Sequence, residues 1–568
     1  MENLTHSHGF WPFKTSSLAT RAAMSWLGFT KWRPLEALAH DPGAAQAAVL
    51  RRLLRANQHT TFGRAHGFSS LGSPRAYQAG VPVQRYGDLA PHVDAQRVTG
   101  TLALTAEPPI FYAQTSGTTG TPKYVPVTRT MLRLYRDEQA TFSYLQYRAC
   151  PAAFDGAAFG VMGAATEGRL DSGQIVGSVS GQLYAALPRL LRRRLVVPPE
   201  VAEIGDYEQR YDVMLLLALA SPRVTYMGSP NPSTFVRLLD RLAARRDVLL
   251  ESLASGRADA VASGLPPRIL ESVAARLTAQ PARARLLGAL PAIGYADLWP
   301  DLALVTTWTG GSCGIPLGAL RTRLPPAAQV MELGYQSTEF RGTLPLEAGS
   351  LGGLPPLHHH FFEFADRDAW DIGRTETLTL EELAEGRQYY VIVTTAAGLY
   401  RYFMNDLVEV AGRLHQTPLL RFVQKGRGVT NITGEKLYEG QVIAAVDAAC
   451  GALGLVLRFY LVAADEGAAG YRAYIEPASS AGFDPAALGQ SIDRRLSALN
   501  IEYDSKRKSG RLSPLQCLPL VPGTADAYRD ACVRAGQRDG QLKPPALAYA
   551  RQLALDLDAC ALNADRRP

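Results

Sequence analysis

The stretch "YAQTSGTTGTPKYVPVT", Tyr112 to Thr128, sets five hydroxyls (Thr115, Ser116, Thr118, Thr119 and Thr121), two glycines and one lysine ahead of a Tyr-Val-Pro-Val strand. Backbone N–H groups in a tight turn, hydroxyl donors and one ammonium are the parts of a polyphosphate cradle. A Walker loop has the form G-x-x-x-x-G-K-[ST], whereas Gly117, Gly120 and Lys123 are spaced differently and Pro122 directly precedes the lysine. A P-loop NTPase is therefore disfavoured. The alternative to a phosphate grip is a surface turn whose hydroxyls bond their own backbone.

Four other stretches carry chemistry that would complement such a loop. "GYQSTE", Gly334 to Glu339, offers a tyrosine able to stack on a base and, four residues later, a carboxylate of the hard-oxygen type that Mg2+ prefers. In "YRYFMND" Asp406 follows an aromatic and basic strand; a carboxylate there can accept both hydroxyls of a ribose, or else pair with Arg401. "TNITGEKLYE", Thr430 to Glu439, is polar and broken by glycine, and "GQLKPP" fixes Lys543 between turn residues. Taken singly, each also fits an ordinary surface residue.

These groups need elements to hold them. Asp41-Pro42 caps a helix with Val49, Leu50, Leu53 and Leu54 on its apolar face. From about Leu102 to Asp301, strands such as "RVTYMG" alternate with helical runs such as "STFVRLLDRLAARRDVLLESLA", and the strand "ALVTTWTG" follows, the pattern of an α/β sheet. Ligands of such sheets sit beyond the carboxyl ends of the strands, where the 112–128 loop and "TGGS" fall. Residues 387–412 read as β-rich with a hairpin turning at Ala396 to Gly398. After a boundary near Gln424 to Gly428 comes a helix at 439–450, strands near 456–463 and 471–476, and a helix opened by Asp484-Pro485 with Leu488, Ile492, Leu496 and Leu499 on one face. The expected fold is α/β: a large domain, 1–424, of α/β subdomains plus a β-rich subdomain, and a small mobile α+β domain, 425–568, carrying the late lysine.

Composition narrows the class. With 568 residues and 47% hydrophobic content the chain can bury more than one core, and 20% charged residues argue against disorder. A net charge of +7 suits an acidic ligand. The one dense basic run, Arg192 to Arg194, lacks interleaved aromatics and reads as a solvated helix end, so no nucleic-acid partner is expected. Six cysteines without C-x-x-C spacing fit reduced thiols in a cytoplasm. The first 29 residues interrupt their apolar positions with Lys, Arg, Ser and His, leaving no signal core, and no stretch reaches the ~18 apolar residues of a membrane span. Trp11, Trp26 and Trp32 are expected to pack on the body, and nothing demands a partner chain.

In their order along the chain, the hydroxyl-rich loop, Tyr-x-x-[ST]-Glu, Tyr-Arg-Tyr with a following Asp, Thr-x-x-x-Gly-Glu-Lys and a late Gly-Gln-x-Lys-x-Pro resemble the auxin-responsive Gretchen Hagen family of acyl-acid amido synthetases, a branch of the adenylate-forming enzymes. The resemblance extends from "NQHTTFGRAHGF" through "VPVQRYGDLAPHV", "YDVMLLLALASPRVTYMGSPNPSTF" and "ADLWPDL" to "NIEYDSKRKSGRLSPL". It implies that Ser116, Gly117, Thr118, Thr119, Gly120 and Lys123 hold the phosphates of ATP, that Tyr335 stacks on adenine beside Thr338, that Glu339 binds Mg2+, and that Asp406 takes the ribose. Lys543 would reach the reacting carboxylate and the α-phosphate, making Lys543, Lys123 and Glu339 the catalytic set. The acyl pocket would draw on Met162, Thr166, Met227, Gly310 and Ser312. The implied reaction is ATP-dependent activation of a carboxylic acid and transfer to an amine, an amino acid by preference, with CoA or another thiol as the alternative acceptor.

Two stretches depart from the family pattern: Asn405 precedes the aspartate where a glycine is usual, and Lys425 and Arg427 stand where an arginine precedes an acidic residue by two. The rival enzyme class comes from "GGSCG", Gly310 to Gly314, which satisfies G-x-S-x-G around Ser312, with His358 to His360 or His415 as base. Pro316, placed where an elbow helix should be under way, and the unexplained phosphate loop weigh against it. The three adjacent histidines, on a strand-like run, would point to alternate faces and take packing and rim roles instead of sharing one metal.

Overall fold

The computed structural model describes residues 18–562 apart from 116–122, 311–312, 372, 427, 431, 433–434, 436, 480–482, 509–511, 536 and 538–541. The phosphate-loop residues Ser116, Gly117, Thr118, Thr119 and Gly120, and also Ser312, Arg427 and Trp11, therefore lie outside the described residues.

Four parallel strands organise the first half: Ala157–Gly160, Val224–Gly228, Leu304–Thr307 and Gln329–Glu332, adjacent in that order. Parallel neighbours need crossovers, and the helices between them supply these. Helix Tyr207–Leu219, capped by Asp206, buries nearly its whole length, and helix Pro232–Ala244, capped by Asn231 with proline at its first position, buries Phe235, Leu238, Leu239 and Leu242. The run expected to continue past Ala244 breaks at Arg245 (φ −111°), whose guanidinium reaches Asp212, and a second helix, Arg246–Ser255, follows. The carboxyl ends of the four strands all open onto loops at one edge, leading to Met162, Asn231, Trp308 and Tyr335.

Beside this sheet, strands Phe111–Thr115 and Lys123–Val127 pair antiparallel, with Thr115 opposite Lys123. The 21-residue helix Arg129–Ala149, capped by Thr128, then runs back across the core with Met131, Leu132, Tyr135, Phe142 and Leu145 buried. The third unit is a seven-stranded antiparallel sheet, ordered Leu378–Thr379, Phe361–Asp366, Gln388–Thr394, Tyr402–Leu414, Thr417–Lys425, Gly353–Leu354, Leu344–Pro345. Its hairpin turns between Thr394 and Tyr402. At the turn Arg401 adopts φ 45° and its buried guanidinium grips Glu363 at 2.8 Å, also donating to the carbonyls of Gln78 and Val81.

Helix Glu439–Leu453 opens the last unit, whose sheet is ordered Gln516–Pro519, Gly470–Pro477, Leu457–Asp465, Leu547–Tyr549. Helix Pro485–Leu499 packs Leu488, Ile492 and Leu496 with it on one face of the sheet, while Tyr528 and Cys532 of helix Thr524–Arg534 cover the other. Leu499, expected on the buried stripe, is 47% exposed because it lies in the last turn, beyond the sheet. Trp32 is buried beneath Arg148, whereas Trp26 is exposed. The Arg192–Arg194 run is not simply solvated: Arg194 lies over the Phe154 ring and donates to the Gly156 carbonyl, and burial lowers its pKa. Every cysteine is a free thiol. Among the described residues no helix is long and apolar enough to cross a membrane, and no cluster of three or more His, Cys, Asp or Glu could hold a metal ion.

The Arg401–Glu363 pair gives a test of this frame. Removing one partner of a buried pair strands the other charge, so Arg401→Leu is expected to cost about 3–5 kcal/mol. Urea unfolding of that variant and of the Arg401→Leu, Glu363→Leu double variant would measure it, with the double variant recovering much of the loss; a single variant as stable as wild type would contradict the assignment.

Candidate active site

Tyr335 stands three residues past the parallel strand Gln329–Glu332, its ring buried and stacked on Phe422 (centroids 5.5 Å apart, 18° between planes) with the edge of Phe340 against it. Burial pushes its hydroxyl well above the usual tyrosine range, and the Asp406 carboxylate adds to the rise; the neutral hydroxyl donates to Asp406 Oδ2 at 2.8 Å. Tyr335 and Asp406, read from separate motifs, are thus in direct contact. Asp406 does not pair with Arg401, which belongs to Glu363. Nor does Asn405 spoil the turn: its φ of 54° is the left-handed conformation that asparagine, after glycine, tolerates best, and its carbonyl accepts from Gly426 N–H.

Glu339 and Thr338 are half-buried on the loop after Tyr335, and Tyr135 of the long helix holds that loop by donating to the Thr338 carbonyl at 2.7 Å. Among the described residues no Lys, Arg or His pairs with the Glu339 carboxylate. A half-buried carboxylate of hard oxygens without a protein cation suits Mg2+. The hydroxyl of Tyr402 is raised by burial, then by the charge of Glu339, with Tyr86 and Asp406 also contributing. Lys123 Nζ lies 5.4 Å from the ring centroid of Tyr86. Lys123 opens the strand that leaves the hydroxyl-rich loop.

Lys543 arrives from the last unit of the chain. Its Nζ lies 3.7 Å from the Trp308 ring centroid and 5.5 Å from that of Phe422, the ring stacked on Tyr335. Neighbouring Leu542 accepts a 2.6 Å hydrogen bond from Asn231 Nδ2. Asn231, Trp308 and Phe422 were not singled out in the sequence. A tryptophan and an asparagine directly after strand-like runs were the available signal, since that edge of a parallel sheet is where ligands bind.

Of the residues expected at an acyl pocket, Met162, Thr166 and Gly310 are exposed at the loop edge, but Met227 is fully buried in the apolar core behind the sheet. The alternation of strand Val224–Gly228 turns Met227 inward, which corrects its assignment to the pocket wall. The histidines expected on alternate faces instead converge. His358 and His359 lie in a turn, and His359 Nδ1 and His360 Nε2 both approach Glu138 Oε1, at 2.9 and 3.1 Å. Burial would raise the Glu138 carboxyl, but those two contacts hold it down to about 2. Of the bases considered for a serine hydrolase, His359 and His360 are thus committed to Glu138, while His415 stacks on His40. Pro316 was the weaker objection, because helix Gly314–Arg321 does form and carries the proline in its first turn, where it is tolerated.

Comparison with known proteins agrees over nearly the whole chain. Residues 31–325 match the GH3 family N-terminal domain, 354–425 its central domain and 440–552 its C-terminal domain. An indole-3-acetic acid-amido synthetase, GH3.8, of Oryza sativa subsp. indica is 24% identical over 552 residues, 91% of this chain and 90% of the relative. A jasmonoyl--L-amino acid synthetase, GH3.5, of Oryza sativa subsp. japonica is 24% identical over 565 residues, 90% and 93% of the two chains. In fold, the solved GH3.15 acyl acid amido synthetase superposes with a TM-score of 0.81 at 21% identity, covering 95% of this chain and 97% of that one.

The histidine turn carries a pH signature. Burial first, and His359 second, hold the His358 imidazole down to about 3 from an ordinary value of 6.5. Between those values the unfolded chain binds a proton that the folded chain does not, so stability falls as pH drops from about 6.5 towards 3. Urea midpoints at pH 7 and pH 5 are expected to show the loss, and His358→Asn to reduce it; an unchanged difference in the variant would contradict the assignment.

Proposed function

The chain belongs to the GH3 family and is a ligase, an acyl acid amido synthetase of the adenylate-forming kind, and from that premise we propose a two-step reaction at the Tyr335–Asp406 site. ATP use follows from the family. The substrate is a carboxylic acid, as in the names of its relatives, and the acceptor is the amine of an amino acid.

In the first step a carboxylate oxygen attacks the α-phosphorus of ATP, the bond to the bridging oxygen breaks, and pyrophosphate leaves with the electron pair. In the second, the amine attacks the acyl carbon, the acyl C–O bond breaks, and AMP departs with the oxygen that came from the acid, while the amine loses a proton. No protein nucleophile is needed. The difficulty is electrostatic, because both partners in the first step are anions. In this reading Lys123 and the loop residues would bind the phosphates, Lys543 would act between the acid and the α-phosphate, Asp406 would accept from the ribose and Tyr335 would pack beside the base. Glu339 would hold Mg2+, which when bound supplies charge neutralisation to the phosphates.

The observation that supports this reading best is Lys543, more than 200 residues beyond Tyr335 in sequence, lying on the ring of Trp308 and beside the Phe422–Tyr335 stack. Residues 425–568 would act as a domain hinged near 424–428, excluding water from the acyl adenylate and withdrawing Lys543 for the second step. Transfer to CoA is the second reading.

Pyrophosphate release from ATP and Mg2+ across a panel of aryl and alkyl acids, each with amino acids or CoA added, tests the proposal. Release is expected to require an acid and Mg2+, to quicken with an amino acid, and to fall about 10²- to 10³-fold in Lys543→Ala. Acceleration by CoA alone would favour the second reading, and acid-independent release would contradict both.

A further inference from the structure

Lys543 must be placed to act, and the described contacts show how little of that placement is its own doing. It precedes Pro544 and Pro545, which restrict the backbone to extended conformations but leave the long side chain free to rotate. Two aromatic rings that approach the ammonium, Trp308 and Phe422, belong to units that precede the last one. Trp308 presents its ring face at 3.7 Å, closer than the limit of about 6 Å for a cation–π contact, and tryptophan is the strongest aromatic for that role. The ring is itself pinned. Its indole N–H donates to the Gly334 carbonyl at 3.2 Å and its backbone N–H to the Pro230 carbonyl at 2.9 Å. Glu332 ties the same loops together, accepting from Thr309 N–H at 2.7 Å and from Gly334 N–H at 3.2 Å. Three loops at the carboxyl edge of the parallel sheet thus fix one indole.

Asn231 supplies the second point of attachment. It is buried, and its Nδ2 donates to the Leu542 carbonyl while its Oδ1 caps helix Pro232–Ala244 by accepting from Ser233 N–H. From the same helix Arg237, held by Glu208 at 2.6 Å, reaches Asp526, and Asp240 reaches Arg458 at 3.4 Å. The Asp240–Arg458 pair is exposed and contributes little, and Asp526 meets Arg237 from the solvent side. The inner contacts, an amide bond to a buried carbonyl and a cation on an aromatic face, are the ones able to set geometry.

We propose that Trp308 and Asn231 form the docking seat of Lys543: Asn231 grips the backbone at Leu542, and the Trp308 ring receives the ammonium and aims it at the reaction centre. The inference rests on the reading of Lys543 given under Proposed function. Trp308 is a positioning residue, acting through Lys543. The ring face holds the ammonium by a cation–π contact, which is weak enough to release when the domain swings away. Phe422, touching both Lys543 and the Tyr335 ring, makes the seat continuous with the nucleotide site.

Acetic anhydride footprinting of the full chain, read by mass spectrometry, tests the seat without any substrate. In Trp308→Leu the acetylation rate of Lys543 is expected to rise about tenfold while other lysines keep theirs. Trp308→Phe, which loses the same indole bond but retains an aromatic face, should stay within about threefold of wild type. Asn231→Ala should raise Lys543 labelling as well. Acid-dependent ATP–pyrophosphate exchange in the same variants is expected to fall as the Lys543 labelling rises. Unchanged Lys543 labelling in Trp308→Leu overturns the seat, as does a general rise over all lysines, which marks loss of folding. Exchange that survives in Lys543→Ala would instead overturn the assigned role of the lysine, whatever the footprint shows.

Discussion

A tyrosine hydroxyl taken out of water must find an acceptor, and Tyr335 finds Asp406 on another sheet. That one bond joins the carboxyl edge of the parallel sheet to the long hairpin strand Tyr402–Leu414, and Phe422 on the next strand seals it by stacking. The other site groups hang from this joint. Glu339 follows four residues after Tyr335 on a loop held by Tyr135, and Trp308 is tied to Gly334 beside it. Lys123 lies over the ring of Tyr86. A ligand crossing the joint would touch both sheets at once.

Why the site lies here follows from the strands. Four parallel strands release four consecutive loops at one edge, so chemistry accumulates there without any one segment carrying it all. The antiparallel sheet contributes a carboxylate and a ring from its hairpin, and the last unit contributes a lysine on a proline-stiffened arm. Lys123 comes from the strand after the hydroxyl-rich loop and Lys543 from the last unit, so the two lysines of the proposed reaction sit on separate elements. The buried pair Arg401–Glu363 sits at the turn of the hairpin, outside the joint, and serves to hold that turn.

Much of this was legible in the sequence because it rested on local rules. Asp41-Pro42 and Asp484-Pro485 announce helix starts, and both helices form with their aspartates as caps. The order of the motifs identified the family. What the sequence could not show were relations set by tertiary packing. His359 and His360 share Glu138 because a turn, in place of the expected strand, lets adjacent side chains converge. Met227 points inward because of the strand's phase relative to its neighbours. Trp308 has no motif of its own, and its meaning appears only when Lys543 is seen on its face.

The claim on which everything else depends is that an acid oxygen becomes bonded to the α-phosphorus. Turnover of a carboxylic acid labelled with 18O in both carboxylate positions, in the presence of ATP, Mg2+ and an amino acid, follows that oxygen directly. One labelled oxygen per turnover is expected in the released AMP, with none in pyrophosphate. AMP that carries no label, or label appearing in inorganic phosphate, would contradict an acyl-adenylate route and with it the arrangement of lysines around the Tyr335–Asp406 joint.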